Sequence, residues 1–297
     1  MVKYKELLVL YNSGLDFIPY FEKEGIKVNQ TYKKSFLPSR VFRRIFESLN
    51  FSQSYWYADW KKDLPFLKTV IVFADLHFEV LKFIKKCNKD IRIIYWYWDP
   101  VFRLGPPKQW MNNIAEIWSF DPSDCVNYCF KFNTTFYFSS ISLPKKNVEF
   151  DVFFIGNDKG RVKYLQDLQT RFTKMGIKGY YHIIPDKSED EKKKYKQIPY
   201  SEYLNIVSKT RVLIDILPFG QSGLTIRAME SIFFNKKLIT NDNSIETQDF
   251  YTSENIFIVG KDSEEGLIKF INSPYIHIQE SIVKQYEVTN WIERFNI

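Results

Sequence analysis

The tetrapeptide Gly220-Gln221-Ser222-Gly223 runs straight into LTIRAMESIFFNKKLIT. Two glycines three apart at a helix entry let the backbone approach an anion and turn N–H groups toward it. Arg227 lies one turn inside that helix and adds positive charge, and Glu230 follows at i+3 on the same face. A carboxylate there accepts two hydrogen bonds from vicinal hydroxyls, as on a ribose. The same spacing also describes a plain glycine turn and an Arg–Glu helical pair. A second phosphate-facing candidate is Gly156-Asn157-Asp158-Lys159-Gly160-Arg161. There Gly156 frees the turn and Arg161 opens the next helix, the plainer alternative being a strand–helix turn with an exposed Arg.

General-base chemistry needs a carboxylate or imidazole held where substrate can reach it. Asp99 follows IIYWYW and precedes Pro100, and that aromatic setting predicts a low dielectric that raises a carboxylate's pKa. Asp16, in NSGLD after the first apolar run, competes with it, and Asp75 with His77, in FADLHF, is a third option. Each also suits a helix N-cap or a turn, which is the better reading for Asp75 and Asp121. Tyr55, Trp56, Tyr57 and Trp60, then Tyr95, Trp96, Tyr97 and Trp98, have ring faces suited to sugars, yet core packing accounts for most of them. Cys125 and Cys129 are four apart, as paired metal ligands are. No His or second Cys pair is near in sequence, so reduced core thiols are expected and no metal is assigned. No convincing Asp-x-Asp metal motif occurs.

These residues need rigid elements behind them. The chain has 297 residues, which favours two domains. Its 45% hydrophobic and 26% charged residues exclude wholesale disorder, and 11 Gly and 12 Pro exclude collagen-like and linker-like chains. Three cysteines cannot make a disulfide framework, which points to a reducing compartment. The first apolar run is too short for a signal peptide and no stretch is long enough to span a membrane, so a cytoplasmic location is expected.

ELLVLYN (6–12), KTVIVFAD (68–75), DIRIIYWYWD (90–99) and AEIWSFD (115–121) read as strands. HFEVLKFIKKC (77–87) has helical spacing, and Asp121-Pro122 opens a helix to about residue 132. The second half repeats the alternation: FDVFFIGN (150–157), a helix over 160–176, KGYYHII (178–184), a helix over 201–210, RVLIDIL (211–217), a helix over 224–234, KKLITN, NIFIVG and a last helix over 278–295. DKSEDEKKKYK (186–196) reads as a solvated loop. The expected fold class is α/β, two Rossmann-like domains facing a central cleft, with the C-terminal helix packing back toward the first domain. LPKKNVEF (143–150) interrupts the pattern, which sets the domains at 1–147 and 148–297. Ligands then belong beyond the carboxyl ends of the strands.

The stretch from FDVFFIGNDKGR through GQSGLTIRAMESIFFNKKLITN to DFYTSENIFIV resembles a bacterial glycosyltransferase family of lipopolysaccharide or capsular polysaccharide biosynthesis, GT-B-like in fold. IWSFDPSDCVNYCFKF and the late NWIERF fit the same layout, and the resemblance is poor before residue 60. It implies that the second domain binds a nucleotide-diphosphate-sugar. Gly220, Ser222, Gly223, Leu224 and Thr225 would supply backbone or hydroxyl contacts, Arg227 would offset diphosphate charge and Glu230 would hold the ribose. Gly156 and Arg161 match a similar Gly-then-Arg. The first domain would bind a glycan acceptor, on a lipid carrier. The resemblance does not choose the base, which stays between Asp99 and Asp16 on their positions after strands, and with no convincing Asp-x-Asp motif no cofactor or metal is expected.

SRVFRRIFESLNF (39–51) is basic and aromatic at helical spacing, as in a helix lying on an anionic membrane surface. An ordinary surface helix with its Phe residues inward is slightly favoured. The formal charge of +7 admits a basic nucleic-acid binder, but Lys and Glu are interleaved without a basic stripe, so no nucleic-acid partner is assigned. A non-catalytic scaffold of a polysaccharide assembly complex is the other alternative.

Overall fold

Runs such as LLVL, TVIVF and RIIYWY have no polar face to give to water, so a sheet built from them must be covered on both sides, as parallel sheets are. The computed structural model describes residues 4–12, 15–49, 51–75, 77–186 and 198–297. The chain forms two units, Met1–Thr134 with Ile292–Ile297, and Thr135–Trp291.

Unit 1 holds β1 (Leu7–Leu10), β2 (Lys27–Asn29), β3 (Thr69–Phe73), β4 (Arg92–Tyr97), β5 (Glu116–Ser119) and β6 (Lys131–Phe132). They form one sheet in the order β2-β1-β3-β4-β5-β6, every pair parallel. One face, with Leu8, Leu10, Val70, Val72, Ile93 and Tyr95, packs on Val80, Leu81 and Ile84 of the helix Val80–Cys87. Unit 2 holds β7 (Phe150–Asn157), β8 (Gly179–Ile184), β9 (Thr210–Asp215), β10 (Lys237–Thr240) and β11 (Ile256–Ile258), all parallel, in the order β11-β10-β9-β7-β8. Leu165, Leu168 and Phe172 of the helix Val162–Lys174 close its core. These are two Rossmann-like units, as the alternation predicts. In each sheet the connections run outward both ways from the first strand, so the strand order reverses between β1 and β3 and between β7 and β9. Ligand crevices in such sheets open at those reversals.

Several elements differ from expectation. The border falls after Thr134, not at 147, because Phe136, Tyr137 and Phe138 are buried within unit 2, Phe136 lying 4.4 Å from Trp291. LPKKNVEF is an exposed stretch inside that unit. The helix after Asp121 ends at Tyr128, since Cys129 takes the left-handed conformation (φ 57°) and the chain turns into β6. Cys129 is exposed rather than in a core, and Cys87 is exposed as well. Cys125 is half-buried, and burial followed by the charges of Asp121 and Asp124 pushes its thiol up to about 11. The single helix expected over 278–295 is two, Glu280–Gln285 and Val288–Glu293. The break is where Tyr137 bonds both Tyr286 O (2.8 Å) and Val288 N (2.9 Å). The tract 187–197, with most of the expected solvated loop, lies outside the described residues. Tyr95, Trp96 and Tyr97 are core residues, as are Trp56, Tyr57 and Trp60.

The last residues are fastened to unit 1 by Arg92, which donates to Phe295 O (2.6 Å) while gripping Glu116 through Nε (2.6 Å) and Nη2 (2.9 Å). That grip, with Lys131 and the Trp118 N–H adding to it against partial burial, pulls the Glu116 carboxyl down to about 2 from 4.5. A depressed folded value means stability present above pH 4.5 and lost as pH falls toward 2. Glu116→Gln should therefore cost about 1 kcal/mol at pH 7, the partly exposed pair being screened. The gap from wild type should narrow in denaturant titrations as pH falls below 4.5. A gap constant down to pH 3 would contradict the assignment.

Candidate functional site

The β7/β9 reversal in unit 2 gathers most of the phosphate-facing candidates. Gly156 lies inside β7, paired with Ile183, so it does not make the turn. Lys159 (φ 50°) and Gly160 (φ 79°) make it instead, and Asp158 fixes it by accepting from Val162 N at 2.5 Å. Arg161 follows as the cap residue of the helix Val162–Lys174, with its guanidinium over the Phe154 ring at 5.3 Å and one N–H on Asn157 O at 3.3 Å.

Beyond β9, Pro218-Phe219-Gly220-Gln221 forms a turn closed by Gln221 N on Pro218 O (3.2 Å). Gly220 sits third with φ 84°, a place that disfavours any side chain. Phe219, second in the turn, is fully exposed. Asn241 at the end of β10 pins this loop by accepting from Leu217 N at 2.7 Å. Gly223 and Leu224 are buried, and Leu224 O accepts from Thr135 Oγ1 at 2.6 Å. Ser222 stays partly exposed in the loop.

Thr225 caps the helix Ile226–Phe233: its hydroxyl accepts from Ala228 N (3.2 Å) and donates to Asp215 (2.7 Å). That hydroxyl is thus committed, so an anion at this helix start would meet backbone N–H groups ahead of Ala228 and the helix dipole. Burial raises the Asp215 carboxyl, against the Thr225 hydrogen bond and the charges of Arg227 and Arg161. Asp215, Asp158 and Asn241 were missed in the sequence. A carboxylate closing the apolar run RVLIDIL was the available signal for Asp215.

Arg227 and Glu230 do not occupy the expected places. Arg227 is only 15% exposed, donates to Ile155 O at 2.8 Å and lies between the Phe153 and Tyr203 rings (5.2 and 5.4 Å). Glu230 is 1% exposed: its Oε1 accepts from the Tyr137 hydroxyl at 3.3 Å, and its Oε2 accepts from the Tyr203 hydroxyl and lies 3.4 Å from Arg227 Nε. Burial raises its carboxyl, while Arg227 and the two tyrosines pull it back. A carboxylate so enclosed presents almost no surface to a ribose. The plainer Arg–Glu pair is what the structure contains, and Arg227 is a fixed internal charge.

In unit 1 the β1/β3 reversal is marked by Asn12 and Asp75. Asn12 donates to Asp75 (2.7 Å) and to Thr31 Oγ1 (2.9 Å), and Asp75 accepts from His77 N at 2.7 Å in a side-chain turn. The Tyr95 hydroxyl bonds Asp75 O at 2.7 Å. Asp16 follows β1 and is exposed, with Ser13 and Gly14 outside the described residues. Asp99 follows β4, two strands from β1. Its carboxylate is 46% exposed and 3.7 Å from Arg103 Nε, so water and a cation surround it rather than the expected low dielectric. Asp121 caps its helix through Ser123 N, as expected.

No family model and no curated protein matches the chain. Among solved structures it is similar over 98% of both chains to the DNA modifying enzyme beta-glucosyltransferase, determined in the presence and absence of the substrate uridine diphosphoglucose, at 14% identity and a TM-score of 0.50. It also aligns with a Glycosylation Associate Protein (Gap123) complex from Streptococcus agalactiae, at 14% identity and a TM-score of 0.39, over 77% of this chain and 51% of that one. The chain thus spans about half the length of that protein. With two parallel Rossmann-like units and the first of these likenesses, the fold class is α/β and GT-B-like.

Proposed function

We propose that the chain is a glycosyltransferase that moves a sugar from a nucleotide-diphosphate donor to a glycan acceptor carried on a lipid, in bacterial surface polysaccharide biosynthesis. The observation that supports this most is the convergence at one strand reversal of Arg161, the Gly220 turn and the start of the helix Ile226–Phe233. The surface-polysaccharide role rests on the sequence resemblance.

In this reading the diphosphate meets the first-turn N–H groups, with Gly220, Ser222 and Gly223 allowing backbone approach. Leu224 and Thr225 contribute main-chain contacts, and Arg161 supplies the reachable cation. Arg227 adds a fixed field from below, set by Glu230. The acceptor oxygen attacks the anomeric carbon, the bond to phosphate oxygen breaks, and the nucleoside diphosphate leaves with the electron pair. Arg161 and the helix dipole stabilise that charge, so the reading assigns no metal or cofactor. The acceptor's proton passes to a carboxylate of unit 1, Asp99 or Asp16.

Release of nucleoside diphosphate from nucleotide-sugars, followed chromatographically with lipid-linked glycan acceptors, tests the reading. Asp99→Asn should lower turnover by about 10²-fold or more at unchanged donor affinity. Loss in Asp16→Asn alone would move the base to β1. Release by neither wild type nor variants from any donor would contradict the proposal.

A further inference from the structure

The helix Leu37–Ser48 meets the rest of unit 1 along a stripe: Ser39 accepts from Trp56 Nε1 (2.9 Å), Arg43 lies over Tyr32 (4.0 Å) and Phe46 meets Trp56 edge-on (5.2 Å). Positions 41, 42, 45 and 49 fall on a different face at 100° per residue. Val41, Phe42, Ile45 and Leu49 are each 45–58% exposed there, so the expectation of a helix with its Phe residues inward fails at Phe42, while Phe46 meets Trp56. Phe36 and Phe51 continue the apolar surface at either end, at 74% and 58%. Arg40 and Arg44 flank it, exposed, and Lys33 and Lys34 precede it. Over 33–51 there are five basic residues and one acidic, so more than half the chain's formal +7 lies in this segment.

The geometry points to this face as a docking surface for an anionic lipid bilayer, lying in the headgroup plane with Phe42, Ile45 and Leu49 inserted and Arg40 and Arg44 at the phosphates. Charge decides the occupant. A second copy of the chain would bring like charges together across the apolar patch, whereas an anionic leaflet complements them. Nothing in the chain needs to span the bilayer for this, and among the described residues no helix is long and apolar enough to do so. The inference stands apart from the donor site.

Co-sedimentation of the intact protein with vesicles of equal parts phosphatidylglycerol and phosphatidylcholine, against phosphatidylcholine alone, tests it without any nucleotide-sugar. Wild type should partition onto the anionic vesicles and be released by high salt. Arg40→Gln with Arg44→Gln, and separately Phe42→Ser with Ile45→Ser, should each weaken partitioning on the order of tenfold. Their circular dichroism should be unchanged, because the replaced side chains are exposed. Equal wild-type partitioning on both vesicle types, or variants that sediment like wild type, would overturn the proposal. So would a dimer by light scattering that Phe42→Ser with Ile45→Ser dissociates, with no vesicle binding.

Discussion

Glu230→Ala is expected to destabilise the protein by about 3–5 kcal/mol, because it strands a charge inside unit 2. The Arg227 guanidinium, 15% exposed between two aromatic rings, would keep Asp215 only as a more distant counter-charge. The Tyr137 and Tyr203 hydroxyls would lose their shared acceptor as well. Glu230→Gln keeps an acceptor oxygen and should cost less. Removing both charges with Glu230→Leu and Arg227→Met should recover part of the loss, since a buried pair attracts little beyond its own desolvation. Urea denaturation of the three variants separates this from a binding role. A carboxylate facing ribose would leave stability within about 0.5 kcal/mol when removed, and would take donor affinity with it.

Arg161→Ala should do the reverse. Its guanidinium is held by a carbonyl at 3.3 Å and by the edge of the core at Phe154, so stability should change by less than about 1 kcal/mol. Affinity for a nucleoside diphosphate should fall about 10- to 100-fold, the measure of one charge-assisted contact. Arg161→Lys should restore little, because a point charge does not reproduce the guanidinium fork. Calorimetry gives both numbers, and an Arg161→Ala protein that binds like wild type would remove this residue from the donor site.

The two variants separate what was legible in the sequence from what was not. Strands such as FDVFFIGN, whose bounds match β7, announce themselves because burial on both faces leaves an uninterrupted apolar run. The glycine turn and the helix start at Thr225 were legible for a similar reason, since backbone requirements restrict residue type. Glu230 was misplaced because i+3 spacing fixes its neighbour on the helix, not the direction in which the pair points. Its neighbours Ala228, Met229 and Ile232 are all buried, and that apolar company was the overlooked signal. The setting of Asp99 differs from expectation for another reason: Tyr95, Trp96 and Tyr97 before it turn into the core, so they do not wall in the carboxylate. In unit 1 the Asn12–Asp75 contact joins residues 63 apart, which no local pattern shows. The unit border was misread because an exposed, Pro- and Lys-bearing stretch looks like a linker even when the chain has already joined the second core at Phe136.

The central claim is that unit 2 binds a nucleotide-sugar through its diphosphate at the β7/β9 reversal. The most direct measurement is the thermal unfolding midpoint of the intact protein across a panel of nucleotide-sugars and their free nucleoside diphosphates. One nucleotide family should raise the midpoint with concentration, equivalent to about 2.7 kcal/mol at a hundredfold excess over Kd. The free diphosphate should reproduce most of that shift, the monophosphate much less, and Arg161→Ala should cut it to about 0.4–1.4 kcal/mol at the same concentration. No shift with any of them at millimolar concentration, or a shift unchanged in Arg161→Ala, would contradict the account.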